Sequence, residues 1–386
     1  MFLSICVKDY QGGDKKYLYF IKSNYFLSTK GEVMKKTLLT VLILMLSFSM
    51  ILGFIGCKAT TPETTAAAET TAAAATTTTE QPKPLHIGNV MPYLEGWFGY
   101  FDSGFKLVLD KENVKITQIL TNWEPEKEIQ AVRDLIALGV DGISMVSGNP
   151  DASQTMCQLA NDAGIPIQIV DSTLSEGTGK PFNVVEMDWY GIGEMMGNKI
   201  AENWPGAKVV ELSGIAGFGT VELQIEALKK VEKDTGKYTR VQQEYTDYGI
   251  ETSKNLMRDI IQSGKEFNVV IGGAQEMAEG AIQALEEAKL LEKVVVISGN
   301  GGVLDEANFA SKKLDAAVSE PVGFHGIVSA ISILNFLRGN PPLEIVSTPF
   351  VWCTVDDWQK TLIPWEVDES WIPIAEEFVK TGKLNY

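Results

Sequence analysis

From Leu85 almost to the C-terminus the chain alternates short apolar runs with amphipathic segments of helical period, and this alternation limits the fold more than any single motif. Parallel strands need a long return connection and are covered on both faces, so they read as brief apolar runs separated by helices. The pattern predicts strands at 85–90, 114–119, 142–146, 167–170 and 183–188, with an aromatic-rich loop after the first. Helices are predicted around 101–110, from Pro125 to Leu138 and over 152–163. In the second of these Ile129, Val132, Leu135 and Ile136 share one face and Gly139 ends the run. The alternation then repeats, with helices at 192–203, 221–235, 251–263 and 278–288 and strands at 208–212, 238–245, 268–271 and 294–298. A strand at 314–319 and a helix at 326–338 return the chain to the first lobe before a Trp-rich tail. Roughly 300 residues are enough for two lobes, each with its own core. The expected class is α/β, with two doubly wound lobes.

A different composition precedes this pattern. Met34-Lys35-Lys36 is a short positive start, 38–54 is an almost unbroken apolar run, and Phe54-Ile55-Gly56-Cys57 closes it with a small residue before Cys. That order resembles a bacterial lipoprotein signal peptide, which implies a signal at 34–56, cleavage before Cys57 and a diacylglycerol on its sulfur. Phe54 departs from the Leu most often found there. A signal-anchor helix is the alternative, since about 17 apolar residues sit at the lower edge of a bilayer span. The segment 57–84 is mostly Thr, Ala and Glu with almost no large apolar residue, and reads as a tether that does not order itself. Residues 1–33 have no domain-like pattern and read as a misassigned upstream start.

Loss of residues 1–56, with seven Lys and three acidic residues, would move the formal charge from −17 to −21. So acidic a domain is a poor partner for nucleic acid or anionic lipid. Cys157 and Cys353 read as two isolated buried thiols, with a pair as the alternative. Two histidines and no CxxC give a metal site little support, and the Gly-rich turns at Gly272-Gly273 and Gly299-Asn300-Gly301-Gly302 lack the full phosphate fingerprint. No cofactor is expected.

Several ordered segments carry a wider likeness. In the first half these are Glu126-Lys127-Glu128-Ile129, Gly139-Val140-Asp141-Gly142-Ile143 and Asn161-Asp162-Ala163-Gly164-Ile165-Pro166-Ile167 running to Asp171; in the second, Val210-Glu211-Leu212-Ser213-Gly214-Ile215-Ala216-Gly217 and Gln275-Glu276-Met277-Ala278-Glu279-Gly280-Ala281. In this order they resemble the ribose- and galactose-type sugar-binding proteins of bacterial ABC transporters, from about Leu85 to Pro349. The resemblance implies a type I periplasmic binding protein: two Rossmann-like lobes joined by a three-crossing hinge near Glu186 to Trp189, Glu320-Pro321 and Pro349. Lobe 1 would comprise 85–187 and 321–349, lobe 2 188–320 and 350–386. A small ligand would be held beyond the carboxyl ends of the strands.

A sugar offers hydroxyls in its plane and apolar C–H faces above and below, so its pocket needs aromatic plates and planar polar groups. Glu95, Trp97 and Phe98 stand where the family has a polar residue and stacking aromatics, with core packing the plainer role for the rings. Asp171 matches the family's hydroxyl-binding Asp, and a capping role is its alternative. Tyr248 falls at the third aromatic, Asn300 where Asp is usual, and Glu320 at the second crossing, each otherwise a solvated loop side chain. Ser172 and Gln224 replace arginines of ribose-type members, and Ala274 replaces an Asn. A pocket that loses two cations and keeps Glu95, Asp171 and Glu320 would suit a polyol, another monosaccharide or an amine-bearing ligand.

The function implied is that of an exported, lipid-anchored monomer at the cell envelope, in the periplasm or on the outer face of the cytoplasmic membrane. It would capture a sugar or polyol and deliver it to an ABC permease with its ATPase. A sensor of the same fold signalling to a membrane receptor or kinase is the alternative. Catalysis is not expected, for no nucleophile elbow, phosphate loop or cleft histidine is present.

Overall fold

The structure, a computed structural model, describes residues 84–384. The leader, Cys57 and the tether up to residue 83 lie outside the described residues.

Two six-stranded sheets form the framework. The first contains β1 (His86–Met91), β2 (Lys115–Leu120), β3 (Gly142–Met145), β4 (Ile167–Val170), β5 (Asn183–Met187) and β11 (Ile345–Thr348). The second contains β6 (Ala207–Ser213), β7 (Tyr238–Tyr245), β8 (Val269–Gly272), β9 (Val295–Gly301), β10 (Ala316–Ser319) and β12 (Val351–Thr354). Their orders are β2-β1-β3-β4-β5-β11 and β7-β6-β8-β9-β10-β12. All pairings are parallel except β10 with β12. The same doubly wound order in both sheets places two switch points, beside β1 and β6, at the same end of each lobe.

The helices follow from local signals. In the first lobe α1 (Trp97–Lys111) follows β1, α2 (Pro125–Leu138) follows β2 and α3 (Pro150–Asp162) follows β3. Pro125 and Pro150 occupy first-turn positions where no amide partner is lost, and the Asn149 side chain accepts from Ala152 N at 2.8 Å. Gly139 ends α2 with φ +69°. The second lobe carries α4 (Trp189–Asn203), α5 (Gly219–Thr235), α6 (Ile250–Gln262), α7 (Gln275–Glu287) and α8 (Val303–Ala310). Then α9 (Val322–Leu337) returns to the first sheet. It is apolar nearly all round and buried from Val322 to Leu334, as suits a helix inside a core.

The tail departs from expectation. It does not stay with the second lobe: after β12 and the short α10 (Trp358–Thr361) it passes back, and α11 (Trp371–Thr381) packs on α9 in the first lobe. Phe324 of α9 meets Trp371 and Phe378 with ring centroids 5.6 and 5.5 Å apart. The chain therefore passes between the lobes at 187–189, 319–322 and 348–351, and a fourth time over 362–370. Cys157 and Cys353 are buried free thiols.

Helices α1 and α9 touch backbone to backbone. A Cβ on Gly104 would lie 1.9 Å from Gly323 O, and one on Gly326 would lie 2.0 Å from Phe101 O. An unhindered helical Gly→Ala change gains about 1 kcal/mol. Here overpacking against a carbonyl opposes it, so Gly326→Ala should lower the unfolding free energy by about 1–3 kcal/mol in a urea titration.

Candidate functional site

A cavity of about 270 Å³ lies between the lobes, at the carboxyl ends of both sheets. The chain beyond β1 lines it with Tyr93, Glu95, Trp97 and Phe98, and the turn after β2 adds Trp123. Asp171 follows β4 and Trp189 follows β5. The second lobe contributes Phe218, Gln224, Tyr248, Glu276 and Asn300. Trp97 and Phe98, expected in a loop, form the first turn of α1.

Aromatic rings make a continuous wall. Phe98 meets Tyr93 edge-on at 5.0 Å and Trp123 at 5.3 Å, while Trp97 stacks on Phe101 at 5.5 Å with 9° between planes. Trp123 continues across the cleft to Phe218 at 4.8 Å. Asp171, Trp123 and Tyr248 have φ of +41°, +61° and +63°. Side chains other than glycine adopt that region at a cost, and such strain tends to collect where geometry serves a ligand.

The polar groups are spaced around this wall. Asp171 Oδ1 accepts from Met187 N at 2.8 Å and from Trp189 Nε1 at 3.0 Å, and its Oδ2 lies 2.9 Å from His325 Nε2. Gln224 Nε2 and Asn300 Oδ1 are buried at the wall without a protein partner. Leaving a buried donor or acceptor unpaired costs free energy, so both atoms have reason to meet a ligand. Glu276 is half-buried, and burial pushes its carboxyl up despite a hydrogen bond from Gln275 Nε2 at 3.3 Å.

Of the residues singled out from sequence, Glu95, Trp97, Phe98, Asp171, Gln224, Tyr248 and Asn300 come together on this cavity, and so does Ala274. Glu320 does not. It is fully buried behind the wall, where its Oε1 accepts from Trp97 Nε1 at 3.0 Å, so it positions the indole instead of facing the cavity. Ser172 also stands behind the wall, accepting from Ser147 N at 2.8 Å. Sequence reasoning missed Tyr93, Trp123, Trp189, Phe218 and Glu276; each follows the carboxyl end of a strand, the signal that could have found them. Among the described residues no cluster of His, Cys, Asp and Glu is arranged to hold a metal ion.

A family model described as the periplasmic binding protein domain matches residues 87–323. The chain belongs to the periplasmic binding protein family. Its two sheets give it the type I fold of that family's sugar-binding members. This binding protein is 24% identical over 277 residues to the ribose import binding protein of Bacillus subtilis, covering 69% of this chain and 89% of the relative. A solved ABC-transporter solute-binding protein from Bacillus halodurans with bound myo-inositol superposes with a TM-score of 0.68 at 21% identity, covering 73% of this chain and 98% of that one. Another from Actinobacillus succinogenes, with bound D-allose, gives 0.65 at 21% identity and covers 72% and 99%.

The floor of the binding protein's cleft is electrostatically unusual. Burial pushes the Glu320 carboxyl well above its ordinary value, the nearby Asp171 charge adds to the rise, and the Trp97 N–H works the other way. A carboxyl raised in the folded state leaves stability full below the ordinary glutamate pKa and erodes it as pH climbs toward the raised value. Glu320→Gln retains an acceptor for Trp97 and removes that erosion. Its Tm relative to the parent should therefore rise between pH 4.5 and pH 8, as scanning calorimetry at both pH values would record.

Proposed function

We propose that this protein is the lipid-anchored solute-binding component of an ABC importer, capturing a monosaccharide or related polyol by hinge closure and passing it to the permease. The observation that carries the reading is the aromatic-walled cavity shared by both lobes, with Gln224 Nε2 and Asn300 Oδ1 left for a ligand. Ring faces suit the C–H faces of a sugar, while carboxylates and amides suit its hydroxyls. A volume of about 270 Å³ fits a single small ring, near the lower end of the roughly 300–1,000 Å³ usual for ligand pockets. The relatives support the same class, being a ribose import protein and solute-binding proteins holding myo-inositol and D-allose.

The mechanism is differential binding. A ligand touching Trp97 and Asp171 on one lobe and Gln224 and Asn300 on the other gains both sets of contacts only when the cleft is shut, so it shifts the population toward closure. No covalent step is involved. The tether would let the domain range beside the membrane while the acyl chains on Cys57 keep it there.

Two measurements test this. A calorimetric panel of sugars and cyclic polyols should yield at least one ligand. Trp97→Ala should then weaken it by about 1–3 kcal/mol, roughly 5- to 150-fold in Kd. Failure of every sugar and polyol to bind, or turnover of one in solution, would remove the reading. For the anchor, Cys57→Ser should move the protein from the membrane fraction to the soluble fraction and abolish incorporation of labelled fatty acid; a variant still membrane-bound would show that the apolar run itself is the anchor.

A further inference from the structure

The side chains lining the cavity include three carboxylates, Glu95, Asp171 and Glu276, and no Lys, Arg or His. Asp171 Oδ1 is already taken by Met187 N and Trp189 Nε1, and its Oδ2 lies 2.9 Å from His325 Nε2. The other two are not matched by a cation. Glu95 accepts from the neighbouring Leu94 N at 3.2 Å, and Glu276 from Gln275 Nε2 and its own backbone amide. They come from opposite lobes yet face the same end of the cleft: a Cβ on Gly96, the residue after Glu95, would lie 3.6 Å from Glu276 Oε1. The Tyr93 phenol feels the charge of both, and the Tyr248 phenol that of Glu276, so two ring systems border the same space. Closing the cleft on a neutral ligand brings two like charges together, one exposed on Glu95 and one half-buried on Glu276, which opposes closure. A cation between them reverses the sign, and aromatic faces favour it further. The buried, unpartnered Asn300 Oδ1 and Gln224 Nε2 stand on the same cavity and can serve the hydroxyls of the same ligand.

We propose that the ligand is a hydroxylated ring bearing a protonated amine, an amino sugar or amino cyclitol, whose ammonium sits between Glu95 and Glu276 beside the rings of Tyr93 and Tyr248. This rests on reading the cleft as a sugar or polyol site. The ammonium then acts as a bridge between lobes, so charge recognition and closure become one event.

The full chain, extracted in detergent, is titrated calorimetrically with matched pairs: D-glucosamine and D-glucose, D-galactosamine and D-galactose, an amino-deoxy-inositol and myo-inositol. The expected result is at least one pair in which the amine binds tenfold or more tightly than its neutral counterpart, with the preference shrinking as NaCl is raised. Glu276→Gln and Glu95→Gln should each cut the amine-to-neutral affinity ratio at least fivefold. Glu95 is exposed, so its variant keeps the test alive if Glu276→Gln fails to fold. Neutral members binding as well as or better than amines in every pair would overturn the proposal while leaving the sugar reading intact; an unchanged affinity ratio in a folded variant would overturn it as well. If no member of any pair binds, the sugar reading falls and the proposal with it.

Discussion

The buried polar knot under Trp97 and Asp171 ties the cleft floor to each of the first three passages between lobes. Asp171 Oδ1 takes the amide of Met187 and the indole of Trp189 at the first passage. Glu320, at the second, holds the Trp97 indole at 3.0 Å. His325, one turn into α9, lies 2.9 Å from Asp171 Oδ2 and 2.8 Å from Thr348 Oγ1 at the third. Charged and aromatic groups so deeply buried are costly unless they hold one another, and one broken member would leave the others unpaired. The same side chains thus present an aromatic plate and a carboxylate to the cavity and join the segments about which the lobes must turn. The cavity lining and the passages between lobes share atoms.

At the far side of the cleft the lobes meet through rings. Trp123 reaches Phe218 at 4.8 Å, and a Cβ on Gly148 would lie 2.3 Å from the Phe218 ring. Such contacts are apolar and not directional, so they form when the cleft shuts and separate without leaving a buried polar group unpaired. Directional bonds at the passages and non-directional contacts at the mouth are a division that suits the proposed closure. The cavity between them is where unpaired Gln224 and Asn300 and mismatched Glu95 and Glu276 concentrate the unmet demand for a partner.

Most of the fold could be read from the chain because parallel strands and amphipathic helices write their periods plainly. The run at 238–245 is β7 to the residue and the other predicted strands shift by a few residues at most, whereas the short edge strands β11 and β12 are not among the predicted strands. The site was legible in part, since strand ends mark where ligands bind and Asp171, Tyr248 and Asn300 lie at such ends. Direction was harder. Glu320 also follows a strand end, yet its side chain turns beneath Trp97, which depends on α1 crossing α9 and not on any local signal. Trp123 and Phe218 lie 95 residues apart in sequence and meet only because the lobes do. Glu276 precedes the helix predicted over 278–288 and stands in the first turn of α7, where an acidic residue has a sufficient local explanation in the helix dipole.

The fourth passage changes what a hinge of this kind can do. Ile363 N donates to Ser319 Oγ at 2.8 Å, Trp365 Nε1 donates to Gly301 O at 2.9 Å, and Trp365 O accepts from Gly323 N at 3.1 Å. The indole lies so close over Gly302 that a Cβ there would come within 2.4 Å of it. All these partners lie at or beside the second passage. Bonds at a pivot survive opening, whereas the same bonds at the cleft mouth would have to break. A tail bonded there and then packed on α9 through Trp371 and Phe378 adds buried aromatic contacts to the first lobe. Glu276 and Gln224 on one wall and Glu95 and Trp97 on the other are the groups that the proposed closure would bring together.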